Sequence, residues 1–125
     1  MERTVYIVDD DESVRRALRR LVLAAGLRVE TFATAEEFLR ISAQSARSCL
    51  VLDLHLPGLD GLQLQEQLAL ENRLLPIVFI TAHADEHKRE HALSAGATAF
   101  LEKPFEENVL LGAIERAIAI GMTRS

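Results

Sequence analysis

Asp9, Asp10 and Asp11 stand side by side in this chain, and Asp53, Thr81 and Lys103 follow at wide intervals. Asp9, Asp53 and Thr81 each close or follow an apolar run, and Lys103 comes just beyond another. Carboxylates gathered into one crevice repel each other. At 4 Å and an effective dielectric of 20, each pair costs about 4 kcal/mol before screening. A hard divalent cation removes that strain, and Mg2+ accepts carboxylates together with waters and a phosphate oxygen. One carboxylate can then attack phosphorus and form an aspartyl phosphate. The Thr81 hydroxyl could donate to one phosphoryl oxygen, and the Lys103 ammonium could neutralise another. Any one of these acids alone reads as a solvated charge at a loop end. The chemistry requires that distant residues converge, so the elements carrying them decide the question.

The chain alternates between two hydrophobic periods. Thr4 to Val8 is an apolar, β-branched run without polar alternation, the signature of a strand buried on both faces. Val14, Ala17, Leu18, Leu21, Val22 and Ala25 then form one apolar helical stripe that Gly26 stops. The alternation repeats four times. Strands are expected at Arg28 to Phe32, Cys49 to Leu54, Ile77 to Ile80 and Ala99 to Leu101. A helix starts at Ala35 behind a Thr34–Glu37 capping box. Others are expected over Gly61 to Leu70 and Glu86 to Ala95. The last has Val109, Leu110, Ala113, Ile114, Ala117 and Ile118 as its apolar face and is expected to end at Gly121. Five β-α units in a row predict an α/β fold: a (βα)5 doubly wound, five-stranded parallel sheet in the flavodoxin-like order 2-1-3-4-5. Ligands of such sheets bind beyond the carboxyl ends of the strands. Asp9, Asp10, Asp53, Thr81 and Lys103 all fall there.

Composition narrows the function classes. With 125 residues there is room for one domain. Fourteen Lys and Arg against 19 Asp and Glu give a net charge of -5, which argues against gripping nucleic acid or an anionic membrane directly. The single cysteine, Cys49, asks for no oxidising compartment. No apolar run is long enough to span a bilayer and the first residues carry no signal-peptide pattern, so a cytoplasmic location without membrane contact is expected.

Four segments together resemble the receiver domain of two-component response regulators. They are Val8-Asp9-Asp10-Asp11-Glu12, Leu52 through Gly61, Ile80-Thr81-Ala82 and Lys103-Pro104-Phe105. Their style is closest to FixJ-type regulators, which carry a LuxR-type output. The resemblance implies a receiver over residues 1–120, with 121–125 a tail or the start of a linker to an output domain. It implies that Asp53 accepts a phosphoryl group from a sensor histidine kinase. Asp9, Asp10, Asp53 and the His55 backbone carbonyl would hold Mg2+ or Mn2+. Thr81, Ala82 and Lys103 would bind the phosphoryl group, Phe100 would turn inward as an aromatic switch, and Lys103-Pro104 would be a cis peptide. Asp11 is expected outside the metal shell. Such a domain catalyses its own phosphorylation and dephosphorylation and is not a conventional enzyme. The resemblance also implies control of transcription, with DNA reached only through an output domain. The face of the fourth helix, fifth strand and fifth helix would change and could pair two copies; it includes His87, Lys88, His91, Phe100, Glu107, Leu111 and Glu115.

Several readings stay open. His55 and His83 lie two positions beyond Asp53 and Thr81, where they would border the path of an attacking water and tune phosphoryl lifetime; the alternative is two exposed loop residues. Arg15, Arg16, Arg19 and Arg20 form either a solvated helix face or a dock for an acidic kinase surface. A stand-alone regulator or a phosphorelay shuttle is the alternative to a transcription regulator. A haloacid-dehalogenase-like phosphatase would need an acid two residues after its nucleophile, where this chain has His55, and a flavodoxin would need a Ser/Thr/Gly-rich loop in place of the acids.

Overall fold

A computed structural model describes residues 3–41 and 47–123, the last two by backbone alone. The elements alternate throughout. They are β1 (Thr4–Val8), α1 (Glu12–Ala24), β2 (Arg28–Phe32), α2 (Ala35–Leu39), β3 (Ser48–Asp53), α3 (Gly61–Leu70), β4 (Ile77–Thr81), α4 (Glu86–Ser94), β5 (Ala99–Glu102) and α5 (Glu107–Thr123). All four strand pairings are parallel and the order is β2-β1-β3-β4-β5, as the alternation predicts.

The continuous apolar runs have two faces to fill. Val5, Ile7, Cys49, Val51, Val78 and Ile80 point to one layer, where α1 brings Leu18 and Val22 and α5 brings Leu110, Ala113, Ile114, Ala117 and Ile118. Tyr6, Val8, Leu50, Leu52, Ile77 and Phe79 point to the other, against Ala35 and Phe38 of α2, Leu64 and Leu68 of α3, and Ala92 of α4. Successive side chains of a strand face opposite ways, so each strand serves both layers. β1, β3 and β4 are buried along their whole length. Buried apolar area is the main source of stability, so these three strands are the rigid floor of anything built on their ends.

Local signals explain most boundaries. Asp11 caps α1 by accepting from the Ser13 and Val14 amides. Thr34 accepts from the Glu37 amide at α2, and Asp60 with Gln63 forms a full capping box at α3. Gly26 and Gly96 take positive φ just after α1 and α4, a conformation that suits glycine.

Beyond one-residue shifts at the ends of β3, β4, α4 and β5, the structure differs from the periodic reading in α1 and at both ends of α5. Ala17 and Ala25 of the α1 stripe are exposed, and so is Val109 at the start of α5. The first turns of α5 therefore reach the core through Leu110 rather than Val109. Gly121 does not end α5, which continues to Thr123. Inside the helix it faces Pro76, where a Cβ would stand 3.0 Å from Cγ, so the missing side chain lets α5 approach the start of β4. Residues 124 and 125 of the expected tail lie outside the described residues. Among the described residues no helix is long and apolar enough to cross a membrane.

Candidate functional site

Parallel strands present all their carboxyl ends along one edge of the sheet. Asp9 follows β1 directly, Asp53 ends β3, Thr81 ends β4 and Lys103 follows β5. These strands are neighbours in the sheet, so residues spread over more than ninety positions meet.

Carboxylate oxygens of Asp9, Asp10 and Asp53 lie within 4.8 Å of one another. Asp9 is fully buried, Asp53 is 7% exposed, and Asp10 opens to solvent. Burial pushes the Asp53 carboxyl up to about 6, and the neighbouring Asp9 and Asp10 charges push the same way. The His55 amide, which donates to Asp53 Oδ1 at 3.1 Å, and the Lys103 ammonium act in the opposite sense. Lys103 Nζ donates to Asp9 Oδ2 at 3.1 Å and stands 4.0 Å from Asp53 Oδ2. One ammonium thus serves two carboxylates and leaves a net negative crevice with an exposed acid at its mouth. Three hard oxygen donors, with Lys103 the one ammonium paired to them among the described residues, are a donor set that fits Mg2+.

Around this core the other expected residues are placed differently. The Thr81 hydroxyl donates to the His83 carbonyl at 3.0 Å and accepts from the His83 amide at 3.1 Å. It is buried and already engaged by its own loop. Ala82, His55 and His83 are exposed, and His55 Nε2 lies 3.5 Å from the His83 carbonyl. The two imidazole-bearing loops therefore approach each other at the rim of the crevice. Phe100 is half-buried, paired in register with Phe79 at a ring separation of 6.2 Å. It packs on the layer of α2, α3 and α4, not among the acids. The Lys103-Pro104 peptide is cis.

Some contributors carry no obvious motif. Asp11 donates its amide to Asp9 Oδ1 at 2.9 Å while its own carboxylate caps α1. From the sequence, Asp11 is expected only outside the metal shell; an acid just ahead of a helical stripe is the N-cap signal that would have found this role. Arg15 belongs only in part to the expected basic face: its guanidinium donates to the Asp9 carbonyl at 2.8 Å. Arg16 pairs with Glu12, and Arg19 and Arg20 remain exposed. Glu115, expected on the face of α4, β5 and α5, is held by Arg3 at 2.8 Å. Glu36 of α2 accepts from the Leu59 amide at 3.1 Å and so steadies the loop that carries His55. Gly61 begins α3 hard against the strand end. A Cβ there would meet the Asp53 carbonyl oxygen at 2.6 Å. No sequence pattern announces either contact, because both depend on segments meeting in space.

Comparison with known proteins agrees with this geometry. Residues 5–115 match the family model of the response regulator receiver domain. The chain is 44% identical over 119 residues to the response regulator protein TmoT of Ectopseudomonas mendocina, covering 95% of this chain and 54% of that protein. It is 45% identical over 113 residues to nodulation protein W of Bradyrhizobium diazoefficiens, covering 90% and 50%. Among solved structures it is similar to the response regulator StyR, with a TM-score of 0.93 and 48% identity over 99% of this chain and 63% of that one. It is also similar to FixJ-N, with a TM-score of 0.87 and 38% identity over 95% of both chains. The chain spans about half the length of the curated relatives it matches. With a receiver model matched along most of its length and the strand order of that fold, this chain belongs to the response regulator receiver domain family.

Proposed function

We propose that the chain is a phosphorylation-dependent switch whose Asp53 accepts a phosphoryl group from a sensor histidine kinase. The observation that carries this is the cluster of Asp9, Asp10 and Asp53 oxygens with Lys103 bonded into it. In the transfer, an Asp53 carboxylate oxygen forms the new bond to phosphorus. The phosphorus–nitrogen bond to the donor imidazole breaks, and its electron pair stays on that nitrogen. Asp9, Asp10, Asp53 and the His55 carbonyl would hold Mg2+ or Mn2+. When bound there, the cation supplies positive charge that offsets the carboxylates and the phosphoryl oxygens.

The chain's own groups do the remainder. Lys103 turns from Asp9 toward a phosphoryl oxygen on Asp53, a reading supported by its standing 3.1 Å from Asp9 Oδ2 and 4.0 Å from Asp53 Oδ2. Thr81 must leave the His83 carbonyl to donate to that group. Its departure loosens the β4–α4 loop, and Phe100, now outside the acids, turns inward. The α4–β5–α5 face changes as a result. His55 and His83 flank the rim and tune how water reaches the acyl phosphate. The relatives named as transcriptional regulators support an output in transcription, reached through sequence beyond these 125 residues.

The test is mass spectrometry after incubation with acetyl phosphate and Mg2+. A phosphoryl adduct on the wild type and none on Asp53→Asn is expected. No adduct on the wild type, or an equal adduct on both, overturns the reading.

A further inference from the structure

Gln65 is 6% exposed in the middle of α3 and faces α4. Its Nε2 donates to the Ala92 carbonyl at 3.0 Å, an acceptor that the Ala97 amide already occupies at 3.0 Å. Its Oε1 is sealed from solvent and has no partner among the described residues. A buried acceptor left unpaired is destabilising, whereas the donor end is served, since the Ala92 carbonyl has two lone pairs and can take both N–H groups. The acceptor end is therefore poorly served by the present seat of α4.

The seat itself is shallow. Ala92 is the one buried residue of α4, whereas α5 buries five apolar side chains along its length. Beside the amide lies a cavity of about 150 Å³ whose walls include Gln65, Leu68, Leu75, Ile77, Ala95 and Gly96. The α3–α4 seam is thus weakly filled where the polar group sits. A displacement of α4 would carry the Ala92 carbonyl away from Nε2, but it would open both ends of the amide to water, so that Oε1 gains a donor it now lacks.

We propose that Gln65 is a positioning residue for the switch: it biases α4 to leave its present seat, because Oε1 is buried without a donor there and both ends of the amide meet water once α4 moves. The link to signalling rests on the receiver function proposed above. A group that is better satisfied in the displaced state lowers the free energy of that state, and any ligand that prefers it then binds more tightly.

The test uses the intact chain with Gln65→Met and Gln65→Leu, which keep the volume and remove both polar ends. Three readouts are compared with the wild type: the urea midpoint, amide exchange across α4, and affinity for beryllofluoride with Mg2+, a phosphoryl mimic. The midpoint is expected to rise, exchange in α4 to slow, and beryllofluoride affinity to fall by about five-fold or more. A residue that merely fills space would lower the midpoint or leave affinity unchanged, and either result overturns the proposal. Failure of both variants to fold overturns it as well. A wild type that binds no beryllofluoride sinks the receiver reading instead, and the midpoint and exchange measurements still decide the role of Gln65.

Discussion

β3 carries a buried ionisable group at each end, and the two have opposite fates. Cys49 near its start is fully buried, and burial, with the Glu115 charge added, pushes its thiol up to about 12. Asp53 at its finish is also raised by burial, but only to about 6. The strand is the same, but Cys49 is sealed while Asp53 keeps 7% of its surface open, and the neighbours differ as well. Cys49 is enclosed by the apolar layer of α1 and α5. Asp53 has an amide, an ammonium and an open mouth at Asp10. Burial alone silences an ionisable group. Burial relieved by one cation, beside a gap in the wall, leaves it charged and reactive near neutral pH.

The largest effect expected from this contrast is at Cys49. A thiol raised from 9.0 to about 12 holds roughly a thousand-fold less thiolate at pH 8. Alkylation of the native chain should be slower than that of the urea-unfolded chain by at least that factor. Rapid native labelling would show that the start of β3 is not sealed.

Next in size is the cation at the other end. Lys103→Ala leaves the fully buried Asp9 carboxylate without its ammonium. Urea unfolding should show a loss of about 3 kcal/mol, partly recovered by Mg2+. A loss under 1 kcal/mol would mean that the Asp11 amide alone supports Asp9.

Asp53→Asn should act in the opposite direction. The folded chain holds the Asp53 proton more tightly than the unfolded chain does, since the carboxyl is raised from 3.8 to about 6. The penalty is absent below about pH 4, builds between about 4 and 6, and is complete above about 6. The variant should therefore be more stable than wild type by up to about 3 kcal/mol at pH 7 and lose that advantage by about pH 4. A constant difference across the range would assign the effect to something other than ionisation.

Gly121→Ala should have the smallest effect. The added methyl meets Pro76 at 3.0 Å and Ser48 O at 3.6 Å. Helix propensity offsets part of the crowding, so stability should fall by about 1 kcal/mol or less. Because Ser48 adjoins Cys49, thiol labelling should quicken measurably. Unchanged labelling would place the seal of Cys49 elsewhere.

The sheet and its acids were legible in the sequence because they rest on local patterns. Apolar runs such as Cys49 to Leu54 have one stable solution in an alternating chain, and the strand order follows from connection rules. Asp9, Asp53, Thr81 and Lys103 could be placed once the strand ends were known. Contacts between segments distant in sequence were not legible. Nothing in Glu36 announces the Leu59 amide, and nothing in Gly61 announces the Asp53 carbonyl. Gly121 misled for the same reason: glycine marks helix ends by its conformational freedom, but here it serves a close approach of two segments. Gln65 carries no signal either, since a polar residue on an apolar helix face shows its isolation only when its neighbours are known.

Asp11 joins the acidic crevice to α1 through a single residue: its backbone holds Asp9, and its carboxylate holds the first turn of the helix. That makes it a lever arm with its short end inside the pocket. Whatever turns Asp9 must also tug on the amides of Ser13 and Val14, which lie outside the pocket. Their NMR resonances are a built-in gauge of occupancy, readable without placing any probe among the reacting groups.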